Sequence, residues 1–267
     1  MSLLIAALLG IVEGLTEYLP VSSTGHLILA GHLLGVPDSS ATSAFEIVIQ
    51  LGAILAVLVH YRKLLWQRAT ELTTGKPEAT RLFGAILAGF IPTAIAGLVL
   101  RKAIKAHLFG TRPVAFALII GGIVMIAVEL LRKKRPDDGE SKLAEVTPMK
   151  GFLVGIGQCA SLIPGTSRSM STIVTGQLIG LSTATVAEFS FLLALPTLGA
   201  ATLYEGFKSR HELHTLGIAQ LAIGMIVSFF VAWAVIAVFL AYLKRRGLLP
   251  FGVYRLIAGA LFLLLLR

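Results

Sequence analysis

Two glutamates near the start of the chain have the types and spacing to do chemistry. Glu13 and Glu17 lie four residues apart within the apolar stretch 3–35, which puts both carboxylates on one face of a helix. Two bare carboxylates in a low-dielectric site cannot both stay charged without help. Either one is protonated or a hard divalent cation, Mg²⁺ or Ca²⁺, lies between them. The alternative is a helix at the water interface with both groups solvated.

A polar turn follows these glutamates and contains Ser22, Ser23, Thr24, Gly25 and His26. After the break at Pro20, either Ser22 or Ser23 can cap the next helix, whose free N–H groups and positive dipole end form an anion site. One of the two serines is then only a cap. His26 falls in the first turn of that helix, where it either reaches the same ligand or is an ordinary interfacial histidine.

A second polar turn contains Gly165, Thr166, Ser167, Arg168, Ser169 and Thr172. Glycine lets the backbone approach a ligand closely, the hydroxyls can donate, and the guanidinium of Arg168 matches phosphate bidentately. An arginine at membrane depth is costly without an anionic partner. That partner is either a substrate phosphate or one of the two glutamates, and a purely structural Arg–Glu bridge is the alternative.

The two turns together supply two helix N-termini, a guanidinium, hydroxyls, a histidine and a carboxylate pair. Phosphoryl transfer needs this set, because it requires neutralised non-bridging oxygens, a nucleophile and a proton donor for the leaving group.

The composition places these groups in a membrane protein. Of 267 residues 56% are apolar and 14% are charged, and the mean hydropathy is +0.86, whereas soluble domains are about 45–50% apolar and about 25% charged. The formal net charge of +9 does not indicate nucleic-acid binding, because most basic residues flank apolar runs. The single cysteine, Cys159, forms no internal disulfide.

Six apolar runs are long enough to span a bilayer, and they cover residues 45–61, 82–100, 113–131, 185–204, 215–243 and 250–266. Two further stretches, 3–35 and 151–180, are interrupted by the polar turns and are predicted to form re-entrant helix–break–helix hairpins. The predicted fold is an all-α polytopic membrane protein with two re-entrant hairpins and six transmembrane helices. It divides into a first repeat (1–132), a charged cytoplasmic linker (133–150) and a second repeat (151–267).

Three spans in each half imply an inverted-topology repeat with its site at the midplane. If the N-terminus is outside, inner loops carry fourteen Lys and Arg residues and outer loops carry six. The positive-inside rule then places both termini on the periplasmic side. The first hairpin enters from outside and the second from inside, so that their breaks can meet.

Two motifs in these breaks resemble the signature segments of the bacterial undecaprenyl-diphosphate phosphatases, the proteins linked to bacitracin resistance. They are EGLTEYLPVSSTGH at 13–26 and PGTSRSMST at 164–172. The resemblance runs over essentially the whole chain. It implies an inner-membrane lipid phosphatase, with its site open to the periplasm, that converts undecaprenyl diphosphate to undecaprenyl phosphate and inorganic phosphate. The carrier lipid is thereby recycled for peptidoglycan synthesis.

The resemblance also implies roles for individual residues. Glu13 and Glu17 bind a divalent metal or act in acid–base catalysis. Ser23 is one candidate nucleophile. His26 is either the rival nucleophile or the proton donor. Arg168 is catalytic and grips the diphosphate with the other polar residues of the two turns, which are Ser22, Thr24, Gly25, Gly165, Thr166, Ser167, Ser169 and Thr172. A metal-activated water is the alternative nucleophile.

Two other function classes compete. Residues 105–113 fit the first motif of the type 2 phosphatidic acid phosphatases, but Val174 stands where their third motif has histidine, and the motif order is wrong. A polyprenyl-phosphate flippase or secondary transporter uses the same inverted repeat, although it needs no nucleophile.

The expected partners are the lipid substrate and membrane lipid. The prenyl tail of the substrate is expected to lie along residues 84–97 and 117–124. The oligomeric state stays open, a homodimer included.

Overall fold

The computed structural model describes residues 1–108, 110–132, 138, 140–243 and 245–265, with the backbone alone at 101 and 105. Its regular elements in these ranges are helices, as predicted. The α-helices are α1 (Leu3–Thr16), α2 (Ser23–Leu33), α3 (Ser40–His60), α4 (Arg62–Thr73), α5 (Pro77–His107), α6 (Thr111–Leu131), α7 (Pro148–Gln158), α8 (Arg168–Leu178), α9 (Thr183–Lys208), α10 (Arg210–Leu213), α11 (Ile218–Leu243) and α12 (Leu249–Leu265). Short 3-10 helices cover Leu143–Glu145 and Cys159–Leu162.

Five of these helices are long and apolar enough to cross a membrane: α3, α6, α9, α11 and the Pro77–Leu100 part of α5. The chain is therefore a multi-pass membrane protein. The sixth predicted span corresponds to α12, which has 17 described residues and counts with α1 as a shorter apolar helix. Helix α4 was not predicted as a separate element.

The two predicted hairpins, α1–α2 and α7–α8, share their local backbone geometry. Ser22 and Ser167 both have positive φ, 75° and 73°, and each caps the following helix through its side chain. Thirteen residues later, Gly35 and Gly180 end those helices, again with positive φ. Glycine adopts this conformation without the steric cost that a Cβ brings. The same start and stop signals therefore shape both hairpins.

Small residues let the first helix of each hairpin pack closely on a long helix from the other half of the chain. Helix α1 packs on α11 and α7 packs on α5. A Cβ at Gly10 would lie 2.5 Å from a main-chain oxygen of α11, and a Cβ at Gly155 would collide with the main chain of α5. With Gly14 and Gly151 these residues form two Gly-xxx-Gly contacts, which allow helix backbones to approach in membranes.

An aromatic core fixes the end of α1 next to the first break. Tyr18 is fully buried, and its hydroxyl donates to the carbonyl of Ala53 on α3 at 2.8 Å. Its ring contacts Phe191 of α9 edge-on at 5.2 Å, and Phe191 in turn packs against Phe239 of α11. These contacts position the residue that precedes Tyr18, Glu17.

The predicted linker lies only partly in the described chain. Residues 133–137 and 139 are outside the described residues, and α7 already begins at Pro148. The boundaries of the two repeats, the inverted orientation and the position of the termini relative to the membrane stay predictions.

The close contact between α7 and α5 predicts a specific effect on stability. Gly155→Ala should destabilise the protein by about 1–3 kcal/mol, because the added methyl group overpacks the contact with the α5 backbone. The thermal unfolding midpoint in detergent measures this. The matched control is Gly199→Ala on α9, where a Cβ meets nothing within 4 Å and helix propensity adds up to about 1 kcal/mol. Equal midpoints for the two variants would contradict the packing argument.

Candidate active site

The first break brings a serine against a glutamate. Helix α1 ends at Thr16, and after the turn through Pro20 the chain re-enters a helix at Ser23, with Ser22 as its N-cap. The side chain of Ser22 accepts from the N–H of Gly25 at 3.4 Å, so this serine is the cap. The hydroxyl of Ser23 donates to Oε2 of Glu17 at 2.7 Å.

The second break presents an arginine at the start of a helix. Ser167 caps α8 by accepting from the N–H of Met170 at 3.3 Å, and Arg168 is the first helical residue. Gly165 has φ +93°, and a Cβ there would lie 2.5 Å from the carbonyl oxygen of Val114 on α6. Only glycine fits this turn, because conformation and space both exclude a side chain.

The two breaks meet in an ion pair. Nη2 of Arg168 lies 3.4 Å from Oε1 of Glu17, with both side chains at most 7% exposed. The hydroxyl of Ser169 donates to the main-chain oxygen of Glu17 at 3.3 Å. The guanidinium also lies over the ring of Tyr18, 5.6 Å from its centroid. The predicted partnership between Arg168 and a glutamate is thus present, and Glu17 is the partner.

Sequence reasoning missed Ser190, which orients the guanidinium from α9. Nη1 of Arg168 donates to the carbonyl and to the hydroxyl oxygen of Ser190, at 2.9 and 3.1 Å. The hydroxyl of Thr172 lies 2.7 Å from that of Ser190. Nε of Arg168 is buried without a hydrogen-bond partner. A serine inside an apolar helix, 18 residues after the second motif ends at Thr172, gives no signal that it faces this arginine.

A cavity of about 560 Å³ adjoins the ion pair. Its polar wall comes from the two breaks and includes Glu17, Ser22, Ser23, Thr24, Gly165, Ser167 and Arg168. Its other wall comes largely from α5 and α9 and includes Phe90, Ala94, Gly97, Leu98, Leu198, Ala200, Ala201 and Tyr204. The stretch 84–97 contributes part of this wall, whereas 117–124 does not line this cavity, because Gly121 and Gly122 pack against α12. The position of the prenyl tail stays a prediction.

One further polar group lines the cavity with a free acceptor. The fully buried Gln158 donates through Nε2 to the hydroxyl of Thr93 at 2.8 Å, and Thr93 donates onward to the carbonyl of Gly155. This chain of donors fixes the amide orientation and leaves Oε1 of Gln158 without a partner. A buried unpaired acceptor is costly, so this oxygen is suited to a bound donor such as water.

Glu13 lies deeper than Glu17 and does not line the cavity. It is 1% exposed, and its Oε1 has no hydrogen-bond partner. In the described part of the chain, no three His, Cys, Asp or Glu side chains are grouped as metal ligands. Of the two predicted carboxylates, that of Glu17 is thus engaged by Ser23 and Arg168, whereas Oε1 of Glu13 has no partner, and their joint role stays a prediction.

His26 points away from the cavity. Its Nδ1 lies 2.7 Å from the carbonyl oxygen of Ser22, and its Nε2 lies 2.6 Å from the hydroxyl of Tyr254 on α12. A carbonyl only accepts, so Nδ1 of the neutral ring bears the hydrogen and Nε2 accepts from the tyrosine. The rings of His26 and Tyr254 are nearly parallel, at 9°. Both ring nitrogens are therefore engaged outside the cavity.

Four other predicted binding residues are absent from the cavity lining: Gly25, Thr166, Ser169 and Thr172. Ser169 and Thr172 are fully buried and bond to the protein. Gly25 packs against Leu118. Gly25 thus lies within α2 and Ser169 and Thr172 lie within α8, while Ser22, Thr24, Gly165 and Ser167 line the cavity itself.

The fold and this site define a class, a polytopic membrane protein with a buried Ser–Glu–Arg cluster beside a cavity with an apolar wall. The family model described as "Bacitracin resistance protein BacA" matches residues 6–261, and the chain belongs to this family. It is similar to the undecaprenyl-diphosphatase of Sorangium cellulosum (strain So ce56), with 56% identity over 97% of this chain and 84% of the relative. It is also similar to the undecaprenyl-diphosphatase of Campylobacter fetus subsp. fetus (strain 82-40), with 45% identity over 99% of each chain.

The contact between His26 and Tyr254 makes a prediction about histidine reactivity. In Tyr254→Phe, Nε2 of His26 loses its hydrogen bond, so acylation of His26 by diethyl pyrocarbonate should accelerate about 2–10-fold, the equivalent of one net hydrogen bond. Mass spectrometry of the peptide that contains His26 measures the rate. Tyr204→Phe, on α9, is the control and should react like the parent protein. Unchanged reactivity in Tyr254→Phe would mean that the tyrosine does not hold this ring.

Proposed function

We propose that the chain is a membrane lipid phosphatase that hydrolyses undecaprenyl diphosphate to undecaprenyl phosphate and inorganic phosphate. The observation that carries the proposal is the cluster at the cavity wall, where Ser23 donates to Glu17 and Glu17 pairs with Arg168. This is a hydroxyl with an adjacent base, next to a cation, which is the arrangement of an activated nucleophile. The relatives named undecaprenyl-diphosphatase support the substrate and the reaction.

Ser23 is the proposed nucleophile. Its Oγ attacks the terminal phosphorus, its proton passes to Oε2 of Glu17, and the bond from phosphorus to the bridging oxygen breaks, which releases undecaprenyl phosphate. Water then attacks the phosphoserine, and the hydroxyl regains its proton as inorganic phosphate leaves. His26 is less suited to this role, because both of its nitrogens are bonded away from the cavity.

Arg168 is proposed to bind the diphosphate. Its Nη1 is held by Ser190 and its Nη2 by Glu17, which leaves the buried Nε without a partner beside the cavity. A guanidinium held in this way neutralises charge on the non-bridging oxygens of the transferred phosphoryl group without reorganising. Ser22, Thr24 and Ser167 add hydroxyls on the same wall.

A divalent metal is proposed to be held by Glu13 and Glu17. The residues fit this role, because Oε1 of Glu13 is a buried acceptor without a partner and a bare carboxylate at this depth needs a cation or a proton. Carboxylate oxygens suit Mg²⁺ and Ca²⁺. When bound, such an ion offsets negative charge that the diphosphate brings into the site.

The surroundings of the site support the cellular role that we propose. The apolar wall from α5 and α9 suits a prenyl tail, and membrane lipid covers the outer faces of the helices. Fourteen basic residues on one side and six on the other support periplasmic termini. The family resemblance supports a site that opens to the same side of the inner membrane. There the reaction recycles the carrier lipid for peptidoglycan and confers bacitracin resistance. A flippase or transporter is less favoured, because it needs no activated serine.

The phosphatase proposal is tested by phosphate release from farnesyl or undecaprenyl diphosphate in detergent, where no transport can occur. We expect the parent protein to be active with Mg²⁺ or Ca²⁺, and Glu17→Gln, Ser23→Ala and Arg168→Lys each to lose at least about 10²–10³-fold in kcat, since each removes a group that acts in the transition state.

Ser39→Ala is the control for this test, because it removes the N-cap of α3 far from the cavity and should keep kcat. If well-folded parent protein released no phosphate, the proposed phosphatase activity would be refuted. Activity retained in Ser23→Ala alone would leave the phosphatase proposal intact and would make water or His26 the nucleophile.

The metal proposal is tested with Glu13→Gln, which has the shape of a protonated glutamate. If Glu13 is an ionised ligand, half-maximal activation should need on the order of 10–100-fold more metal, and added Mg²⁺ or Ca²⁺ should no longer raise the unfolding midpoint. Glu78→Gln at the start of α5, whose side chain is 61% exposed, is the control. Unchanged activation and unchanged stabilisation would show that Glu13 is neutral and binds no metal.

A further inference from the structure

Arg255 of α12 is a second fully buried arginine, and neither break contains it. Its relative exposure is 0%. Its guanidinium donates only to main-chain carbonyls: Nε to Leu118 at 3.3 Å and Nη2 to Ala117 at 3.0 Å, both on α6. In the described part of the chain no carboxylate forms an ion pair with it. This charge is therefore held by carbonyl dipoles alone.

The other two carbonyls belong to the two breaks. Nη1 of Arg255 donates to Pro20 at 3.2 Å, and Nη2 donates to Gly165 at 3.1 Å. Pro20 and Gly165 each stand two residues before the N-cap serine of their hairpin, so they are equivalent positions of the two turns. One planar group thus bonds the same point of both breaks, which fixes the distance between them.

The fold keeps space for this group. A Cβ at Gly121 of α6 would collide with Nη2 of Arg255 and would lie 2.9 Å from Cε of Met170. Glycine at this position lets the guanidinium reach across α6 to both breaks. A lysine at 255 has one compact ammonium and cannot reproduce the planar fork that spans four acceptors.

We propose that Arg255 is a positioning residue for the phosphatase reaction. By holding the carbonyls of Pro20 and Gly165, it sets the distance between Ser23 on one break and Arg168 on the other. Charge-assisted hydrogen bonds of this kind are stronger than neutral ones, and they act behind the turns without touching the cavity. This inference rests on the proposed function, because it concerns the geometry of that reaction.

The test compares Arg255→Lys, Arg255→Ala and Gly121→Ala in the phosphate-release assay, with kcat, KM and the unfolding midpoint measured for each. We expect kcat to fall about 100-fold, the cost of a displacement of about 1 Å between reacting groups, with KM changed by less than about threefold. Millimolar guanidinium chloride should restore kcat to Arg255→Ala, because it can occupy the space between the four carbonyls, and should not affect the parent protein.

Two controls make the outcomes distinct. Arg62→Met removes an exposed guanidinium that bonds the carbonyl of Val59, and Gly199→Ala adds a methyl group in open space; both should keep kcat. The inference would be overturned if folded Arg255→Lys and Gly121→Ala kept the kcat of the parent protein and only their unfolding midpoints were lower. It would also be overturned if guanidinium did not restore kcat to Arg255→Ala. If Arg255→Ala does not fold, Gly121→Ala decides. An inactive parent protein would instead refute the proposed function.

Discussion

Two ionised groups face each other inside this protein, and the rest of the site is arranged around them. The carboxylate of Glu17 and the guanidinium of Arg168 come from different breaks and are almost fully buried. Removing one partner of a buried pair typically costs about 3–5 kcal/mol, because the other charge remains unpaired. The structure offsets this cost with Ser23, which donates to the carboxylate, and with Ser190, whose oxygens accept from the guanidinium. The two hairpins therefore stabilise each other where they meet.

The meeting of the hairpins depends on local signals that are readable in the chain. Serines in a left-handed conformation begin α2 and α8, glycines end them, and Gly-xxx-Gly pairs let α1 and α7 approach their neighbours. None of these features by itself supplies a group that reacts. Together they bring Glu17, Ser23 and Arg168 into one hydrogen-bonded and ion-paired cluster at the cavity wall.

Much of this could be predicted from sequence, because the signals are local. Hydropathy located the long apolar helices, and the interrupted stretches located both breaks. The roles of single side chains were less predictable. Spacing put Glu13 and Glu17 on one face, yet only Glu17 reaches the cavity, and His26 turns to Tyr254, which is 228 residues distant. Ser190, Gln158 and Arg255 carry no local pattern, since their importance comes from contacts between helices remote in sequence.

The first helix of each hairpin packs on a helix from the other half of the chain, and this has a consequence for biosynthesis. Helix α1 ends at Thr16, and its main packing partner α11 begins at Ile218, roughly 200 residues later. At ~5–20 residues per second the ribosome needs about 10–40 s to produce that partner. During this time α1 lacks its main packing partner, and the first hairpin can pack only on earlier helices such as α3, whose Ala53 carbonyl accepts from Tyr18. The packing of the first hairpin is therefore completed only after α11 has been synthesised.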